Sequence, residues 1–384
     1  MKKVLTALLA CLLAVGLCAC NNDEPTTPET TAATQLGEEN NILPIKPPAK
    51  VEETVKLKNG AENVRVFGVR EEISDTVLNC NYPGSGFEVK LNCEGGTVNV
   101  RTSTSNACDF RVWVDGEAWK TADGGDYFTV NGIKNIEIPN VSKGEHTVRV
   151  IRASEKGVTA MFYNVTFEGE QSELSATEAM TVEFVGDGIT AGAKLNGENC
   201  DATLGYAYKT AAALGVNYGI TASVGQGVLT GTSPIGTSYT KEGNYANKAD
   251  IIVVNVGAED FAVTGDGAIT AEAFAEAYTA LLKNIRTKNG SACKIVCVTT
   301  ASSEALRTAV ANVCQQLGGE SAGYFVKALT ASAATLPTEA EHTAYATELS
   351  AYLNSIKDIT IEVNSLKDAE SGAGEKVDYG TANW

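Results

Sequence analysis

Val182-Glu183-Phe184-Val185-Gly186-Asp187-Gly188-Ile189-Thr190-Ala191-Gly192 is the segment from which the architecture can be read. Four residues of strand character run into Gly-Asp-Gly, where a strand must give way to a tight turn. Downstream, Ile251 to Val256 is a nearly continuous apolar run closed by Gly257, the pattern of a parallel strand covered on both faces. Phe274, Tyr278, Leu281, Leu282 and Ile285 recur at helical spacing. Lys294 to Thr299 is another strand, and Leu306, Val310, Val313 and Leu317 mark a helix stopped by Gly318. Thr338-Glu339-Ala340-Glu341, after Pro337, forms a capping box that opens the last helix. Strands alternating with helices predict a three-layer α/β domain over residues 178–357.

Upstream the periodicity changes. Phe87, Val89 and Leu91 alternate with Glu88, Lys90 and Asn92, and Phe110, Val112 and Val114 alternate with Arg111, Trp113 and Asp115. Asp115-Gly116 supplies a hairpin turn. His146 to Ile151 and Met161 to Val165 continue the pattern, and helix signals are absent. Residues 51–172 therefore read as a β-sandwich of jelly-roll type. Trp113 lies on the face opposite Phe110, Val112 and Val114. If that face is open it offers a platform for a sugar ring, with Trp119 a weaker one; the alternative is packing at the sheet edge. Ile359 to Val363 reads as an extra strand within a C-terminal segment, 358–384, that ends at Trp384.

The ends and the composition bound the setting. Lys2 and Lys3 precede an apolar run, Val4 to Val15, too short to span a bilayer, which reads as a signal peptide. The run ends in Leu17-Cys18-Ala19-Cys20, which resembles a bacterial lipobox; residues 1–20 would be the signal, with Cys20 lipid-modified. Residues 21–50 are rich in Thr, Pro, Glu and Asn and cannot bury enough surface to order themselves, so they read as a solvated tether. The expected location is the extracellular face of a bacterial cell membrane, held by lipid. A net charge of −17 argues against nucleic acid and against direct adsorption to anionic lipid. Of ten cysteines, seven lie beyond residue 20, and no spacing matches a zinc site. Mostly free thiols are expected, with one bridge among Cys80, Cys93 and Cys108 left open, and neither metal nor cofactor is implied.

The second half resembles the SGNH hydrolases, with their flavodoxin-like sheet, and the pair of domains looks like carbohydrate esterase family two. Val114-Asp115-Gly116-Glu117 and Gly144-Glu145-His146-Thr147-Val148 look like that family's jelly-roll segments. Val182 to Gly192 stands where the family writes a strand, Gly-Asp-Ser and Ile-Thr. Val224-Gly225-Gln226-Gly227 matches a second block, and Gly257-Ala258-Glu259-Asp260 a third, normally Gly-Thr-Asn-Asp. The resemblance implies ancestry among enzymes that remove acetyl groups from polysaccharides. There a serine attacks the ester, a histidine takes its proton, an aspartate orients the histidine, and backbone amides with a glycine and an asparagine hold the oxyanion.

By that resemblance most of the machinery is missing. Gly188 stands at the serine position, and Ala334 and Leu336 occupy the acid and base positions of a block normally written Asp-Gly-His-Pro. Gly225 remains as the oxyanion glycine, whereas Glu259 replaces the asparagine and would repel an oxyanion. Only two histidines exist: His146 falls in the sandwich, and His342 within the last helix, at a non-catalytic family position. Ser223 and Thr190 are the imaginable substitute nucleophiles, neither at the family's turn. Asp187, Glu259 and Asp260 remain near the crevice expected at the strand ends. Asp187 and Asp260 read chiefly as turn-forming groups, with Glu259 the more open to a ligand. The function expected is a surface protein that binds polysaccharide or acetylated glycan without catalysis. The alternatives are a residual or altered carbohydrate esterase, or a scaffold for other proteins.

Overall fold

Alternating apolar residues close the first half into a strongly bent antiparallel sheet. Its strands are β1 (Glu52–Lys56), β2 (Val64–Phe67), β3 (Leu78–Asn79), β4 (Gly86–Val114), β5 (Glu117–Trp119), β6 (Phe128–Arg152) and β7 (Ala160–Ser172). The order is β1-β7-β4-β2, with β3 on β7 and both β5 and β6 on β4. The long β4 folds back on itself, so that Val150 of β6 pairs with Phe87 on one arm and Val112 on the other. A register shift between Gly96 and Val98 marks the bend, at a pair of glycines with φ of 93° and 119°. Phe87, Val89, Leu91, Phe110, Val112 and Val114 all face the core as their alternation requires. Phe162 lies edge-on to Phe87 and Phe110 at 5.1 and 5.3 Å. Asp115 and Gly116 both take positive φ, 54° and 85°, in the two-residue turn between β4 and β5.

The computed structural model describes residues 51–361 apart from 59, 70–73, 176–179, 242–248, 301–302 and 331–335. The described residues belong to one compact unit that begins at Ala49. Residues 1–50, with Cys20, and residues 362–384, with Trp384, lie outside the description.

The second half is an α/β fold. Strands β8 (Thr181–Gly186), β9 (Asn217–Ala222), β10 (Ile251–Asn255), β11 (Lys294–Thr299) and β12 (Tyr324–Ala328) form a parallel sheet in the order β12-β11-β10-β8-β9. Its helices, in chain order, are α1 (Gly188–Ala191), α2 (Tyr206–Leu214), α3 (Ile235–Lys241), α4 (Ala258–Ala262), α5 (Ala271–Asn289), α6 (Glu304–Gln316) and α7 (Glu339–Ile356). The side of the sheet carrying α3, α5 and α6 buries Phe274, Tyr278, Leu281, Leu282, Ile285, Leu306, Val310 and Val313. The other side packs α2 and α7 through Tyr206, Ala207, Tyr345, Leu349 and Leu353. Thr270, Ser303 and Thr338 cap α5, α6 and α7, and Thr338 with Glu341 forms the full capping box. No helix among the described residues is long and apolar enough to cross a membrane.

The two halves meet over an aromatic seam. Phe67 stacks on Tyr218 at 5.5 Å, and Trp113 stacks on Tyr208 at 5.6 Å beneath the Arg111 guanidinium. Gly68 N–H donates to the Tyr218 carbonyl at 2.9 Å, and the Tyr218 hydroxyl donates to the Gly84 carbonyl at 2.7 Å. Glu88, on the polar face of β4, is buried here and receives Arg65 and Arg149. Trp113 is therefore no open platform for a sugar ring: the α/β half covers the strand face on which it stands. Trp119 also packs on the N-terminal core, donating from Nε1 to the Pro139 carbonyl at 2.9 Å. The expected extra strand is not found at its described residues either. Ile359 to Ile361 form no strand, and Ile361 instead packs against the core beneath α5 and α6.

Trp113→Ala is expected to lower stability by about 2 kcal/mol, the cost of a half-buried aromatic lost from a seam. Thermal unfolding checks this, and glycan retention by the folded variant should equal that of the parent.

Candidate functional site

The crevice forms where parallel strands diverge. Chain order runs from β8 outward to β9, then returns to β10 on the other flank of β8, and ligand sites in such sheets open beyond the strand ends at this reversal. There a cavity of about 220 Å³ is lined by Asp187, Gly188 and Ile189 after β8, Val224 after β9, Ala258, Glu259 and Ala262 after β10, and Leu336 before α7. The structure thus brings together Gly188, Leu336, Asp187 and Glu259. Gly225 sits beside the lining residue Val224 at φ 71°, exposed and outside the lining itself. Ala334 lies outside the described residues.

The two glycines around Asp187 differ in what holds them. A Cβ on Gly186 would lie 2.1 Å from Thr190 Oγ1 and 2.5 Å from the Asn255 carbonyl, so the close approach of strand and turn demands glycine. At Gly188 a Cβ would meet only Ala193 and Val224, both at 3.5 Å, and φ is not in the left-handed region. Neither space nor backbone strain requires the lack of a side chain at Gly188.

Asp187 caps the short α1, accepting from Ile189 N–H at 3.0 Å through Oδ1. It is 1 % exposed, and Oδ2 has no hydrogen-bond partner. Burial pushes its carboxyl up to about 7, and the nearby Glu259 charge adds to the rise. Asp260 is fully buried and wholly structural: it accepts from the N–H groups of Val228, Leu229 and Thr230 at 2.7, 2.9 and 3.0 Å. The turn-forming reading thus holds for Asp260. Asp187 forms its turn as well, yet keeps one oxygen uncommitted.

Among the described residues that line the cavity there is no serine, threonine or histidine. Thr190 is buried, with its hydroxyl 2.9 Å from the Tyr206 hydroxyl, and Ser223 is not among the residues lining the cavity. Cys200 does line it, but burial raises its thiol to about 12 and keeps it protonated near neutrality. His342 accepts the Tyr206 N–H at Nδ1, 3.0 Å away, and stacks on the Tyr206 ring. Burial, with the Lys209 charge, lowers it to about 4, so it stays neutral inside the fold and away from the cavity lining. His146 does sit in a serine–histidine–carboxylate string. Its Nδ1 is 2.7 Å from Asp115 Oδ2 and its Nε2 is 3.0 Å from Ser142 Oγ. That string lies on the N-terminal sheet outside the crevice, where Asp115 Oδ1 also accepts the Thr147 N–H at 2.8 Å. It ties the hairpin turn to β6, a structural role.

Several lining residues carry no sequence signal of their own. Glu155 reaches the cavity from the loop after β6, and Lys194, Glu198 and Cys200 come from the loop after α1. Lys194 pairs with Glu198 at 3.0 Å. Buried Arg152 grips the carbonyls of Ser154 and Glu155, and Ala202 N–H donates to the Ala153 carbonyl at 2.9 Å, which fixes the Glu155 loop against the second half. All seven cysteines among the described residues are buried and none forms a disulfide, Cys80, Cys93 and Cys108 included. Among the described residues no group of His, Cys, Asp and Glu gathers as a metal site would.

By sequence, no family profile and no curated protein matches the chain. By structure it shares the SGNH-like fold of family two carbohydrate esterases. One similar structure is the family two carbohydrate esterase from Clostridium thermocellum in complex with cellohexaose, at 18% identity and a TM-score of 0.66, covering 76% of this chain and 98% of that one. Another is the acetyl xylan esterase Est2A from the rumen bacterium Butyrivibrio proteoclasticus, at 17% identity and a TM-score of 0.67, covering 79% and 98%. A third is a carbohydrate esterase described as having divergent catalytic and non-catalytic binding functions at its active site, at 17% identity and a TM-score of 0.61, covering 77% and 98%.

Two outcomes follow from this geometry. Between about pH 4 and pH 7 an unfolded Asp187 has lost the proton that the folded chain keeps, so its contribution makes stability fall as pH rises through that window. Asp187→Asn removes that loss, and its advantage over the parent in unfolding free energy, from denaturant titrations, should grow from pH 5 to pH 8 by up to a few kcal/mol. A constant difference would mean that Asp187 ionises normally. His342→Ala should cost about 3 kcal/mol by opening a cavity and stranding the buried Tyr206 N–H, measurable by denaturant unfolding.

Proposed function

We propose that this protein is a lipid-anchored surface protein that binds polysaccharide in an esterase-type crevice without hydrolysing it. The observation that carries the reading is Gly188: it lines an open cavity, has room for a serine side chain, and offers no nucleophile. Leu336 on the same wall can take no proton, and Glu259 would repel a developing oxyanion rather than stabilise it. His342, held neutral by burial and bound to backbone, is in no position to serve as a substitute base. Similar folds support a glycan as the ligand class: one is complexed with cellohexaose, and another is described as combining catalytic and non-catalytic binding at one site. In this reading residues 51–172 are a jelly-roll domain that lends Glu155 to the crevice, and residues 1–50 supply the lipid on Cys20 and a tether. Fold alone would suggest an esterase, but activity resides in side chains, and those are missing.

Acetate release from acetylated xylan and from aryl acetates is expected at background, for the parent and for Gly188→Ser alone, because no base accompanies the restored hydroxyl. Turnover abolished by His342→Ala would overturn the reading, and turnover abolished by His146→Ala would move the chemistry to the N-terminal sheet. In native gels containing single polysaccharides, one glycan should retard the protein, and Glu259→Ala should weaken that retardation several-fold. An unretarded band across a broad panel would favour a scaffold for other proteins.

A further inference from the structure

Among its described residues the crevice is acidic and lacks the rings on which a neutral sugar would lie. Its charged lining residues are Glu155, Asp187, Lys194, Glu198 and Glu259. Lys194 and Glu198 neutralise each other, which leaves Glu155, Asp187 and Glu259 without a cation among the lining residues. No described lining residue is aromatic, although ligand sites ordinarily draw much of their contact area from aromatic and apolar side chains. A second observation is independent of this charge count. Asp187 lines the cavity while 99 % buried, and its Oδ2 meets no donor. A buried carboxyl oxygen without a hydrogen-bond partner is costly, and a donor from outside the chain would satisfy it in its ionised form.

We propose that the crevice selects a sugar residue bearing a free, protonated amine over its N-acetylated or neutral counterpart, with Asp187 and Glu259 receiving the ammonium. This rests on the glycan-binding reading above and names the class of sugar. An ammonium group is compact and presents three donors and no acceptor, the complement of ionised carboxylates, which only accept. Bonds from an ionised donor to a carboxylate are about twice as strong as neutral ones, and partial enclosure limits their screening. A cavity of about 220 Å³ lies below the roughly 300–1,000 Å³ of sites for drug-sized ligands, which suits a single sugar unit. Gly188 contributes by absence, since a side chain there would occupy space next to Asp187. An N-acetyl group would bring a neutral amide and a methyl to the same carboxylates. The raised carboxyl of Asp187 adds a signature: an ammonium beside it favours the ionised form, so below about pH 7 binding releases a proton.

Titration calorimetry at pH 6 and low salt with a glucosamine tetramer, its fully N-acetylated counterpart and cellotetraose tests this. The glucosamine tetramer should bind at least tenfold tighter than the other two, with proton release visible as a dependence of the heat on buffer. Glu259→Gln should remove most of the preference. Glu137→Gln, an exposed residue of β6 remote from the crevice that changes net charge equally, should leave it intact. Equal affinity for the three sugars, a preference untouched by Glu259→Gln, or equal weakening by both variants would overturn the amine selectivity. Cellotetraose or the acetylated tetramer binding without that preference leaves the glycan-binding reading standing, and no binding by any of the three overturns the amine selectivity while the broad polysaccharide panel decides the glycan-binding reading.

Discussion

The shape of the crevice depends on Asp260. A carboxylate with no exposed surface is stable only when its oxygens are met, and three consecutive backbone N–H groups, at Val228, Leu229 and Thr230, meet them. The same bonds draw the loop after β9 against the start of α4, and a Cβ on Gly227 would come within 2.5 Å of either oxygen. The loop that bears Val224 and Gly225 is thereby tied to the helix that bears Glu259. None of this involves the chemistry of an ester. The walls persist because backbone groups must be paired, and they would persist through any change at Gly188 or Leu336.

Asp187 obeys the same rule incompletely. One oxygen caps α1 and the other has no donor, so the fold holds a buried carboxyl whose charge is poorly supported. Asp187 directly follows β8 and Asp260 lies in α4 beyond β10, yet three amides meet the second while the first lines a cavity beside Glu259. The contrast comes from loop geometry, since the residue type is the same. It leaves Asp187 as a carboxyl whose ionisation burial opposes and no donor at Oδ2 favours.

Much of this was legible in the sequence because it is local. The apolar run of β10, the helical spacing from Phe274 to Ile285, the Asp115-Gly116 turn and the Thr338–Glu341 cap each depend on a few neighbours and appear as read. The gathering of Gly188, Leu336 and Glu259 was also foreseeable, since strand ends of a parallel sheet converge. What was not legible depends on the second half covering the first. Trp113 and Glu88 belong to a polar, outward face by alternation, and only the seam with Tyr208 and Tyr218 turns that face inward. Glu155 enters the site from a loop of the other half for the same reason. Ile361 has the composition of a strand but meets a helical core, where packing rather than pairing buries it.

The distribution of residue types makes a final point about how activity arises. The N-terminal sheet holds a hydrogen-bonded string of serine, histidine and aspartate, the set that nucleophilic catalysis uses, on a hairpin where it ties a turn to a strand. The crevice lies at the strand ends and is lined by Gly188, Leu336, Asp187 and Glu259, with no histidine or serine among its described lining residues. Catalysis requires both in one place, since a nucleophile gains from its base only when the carbonyl is held between that nucleophile and oxyanion donors. The crevice, by contrast, is shaped by backbone pairing and lined by the carboxyl groups of Glu155, Asp187, Glu198 and Glu259, none of which lies in that hydrogen-bonded string.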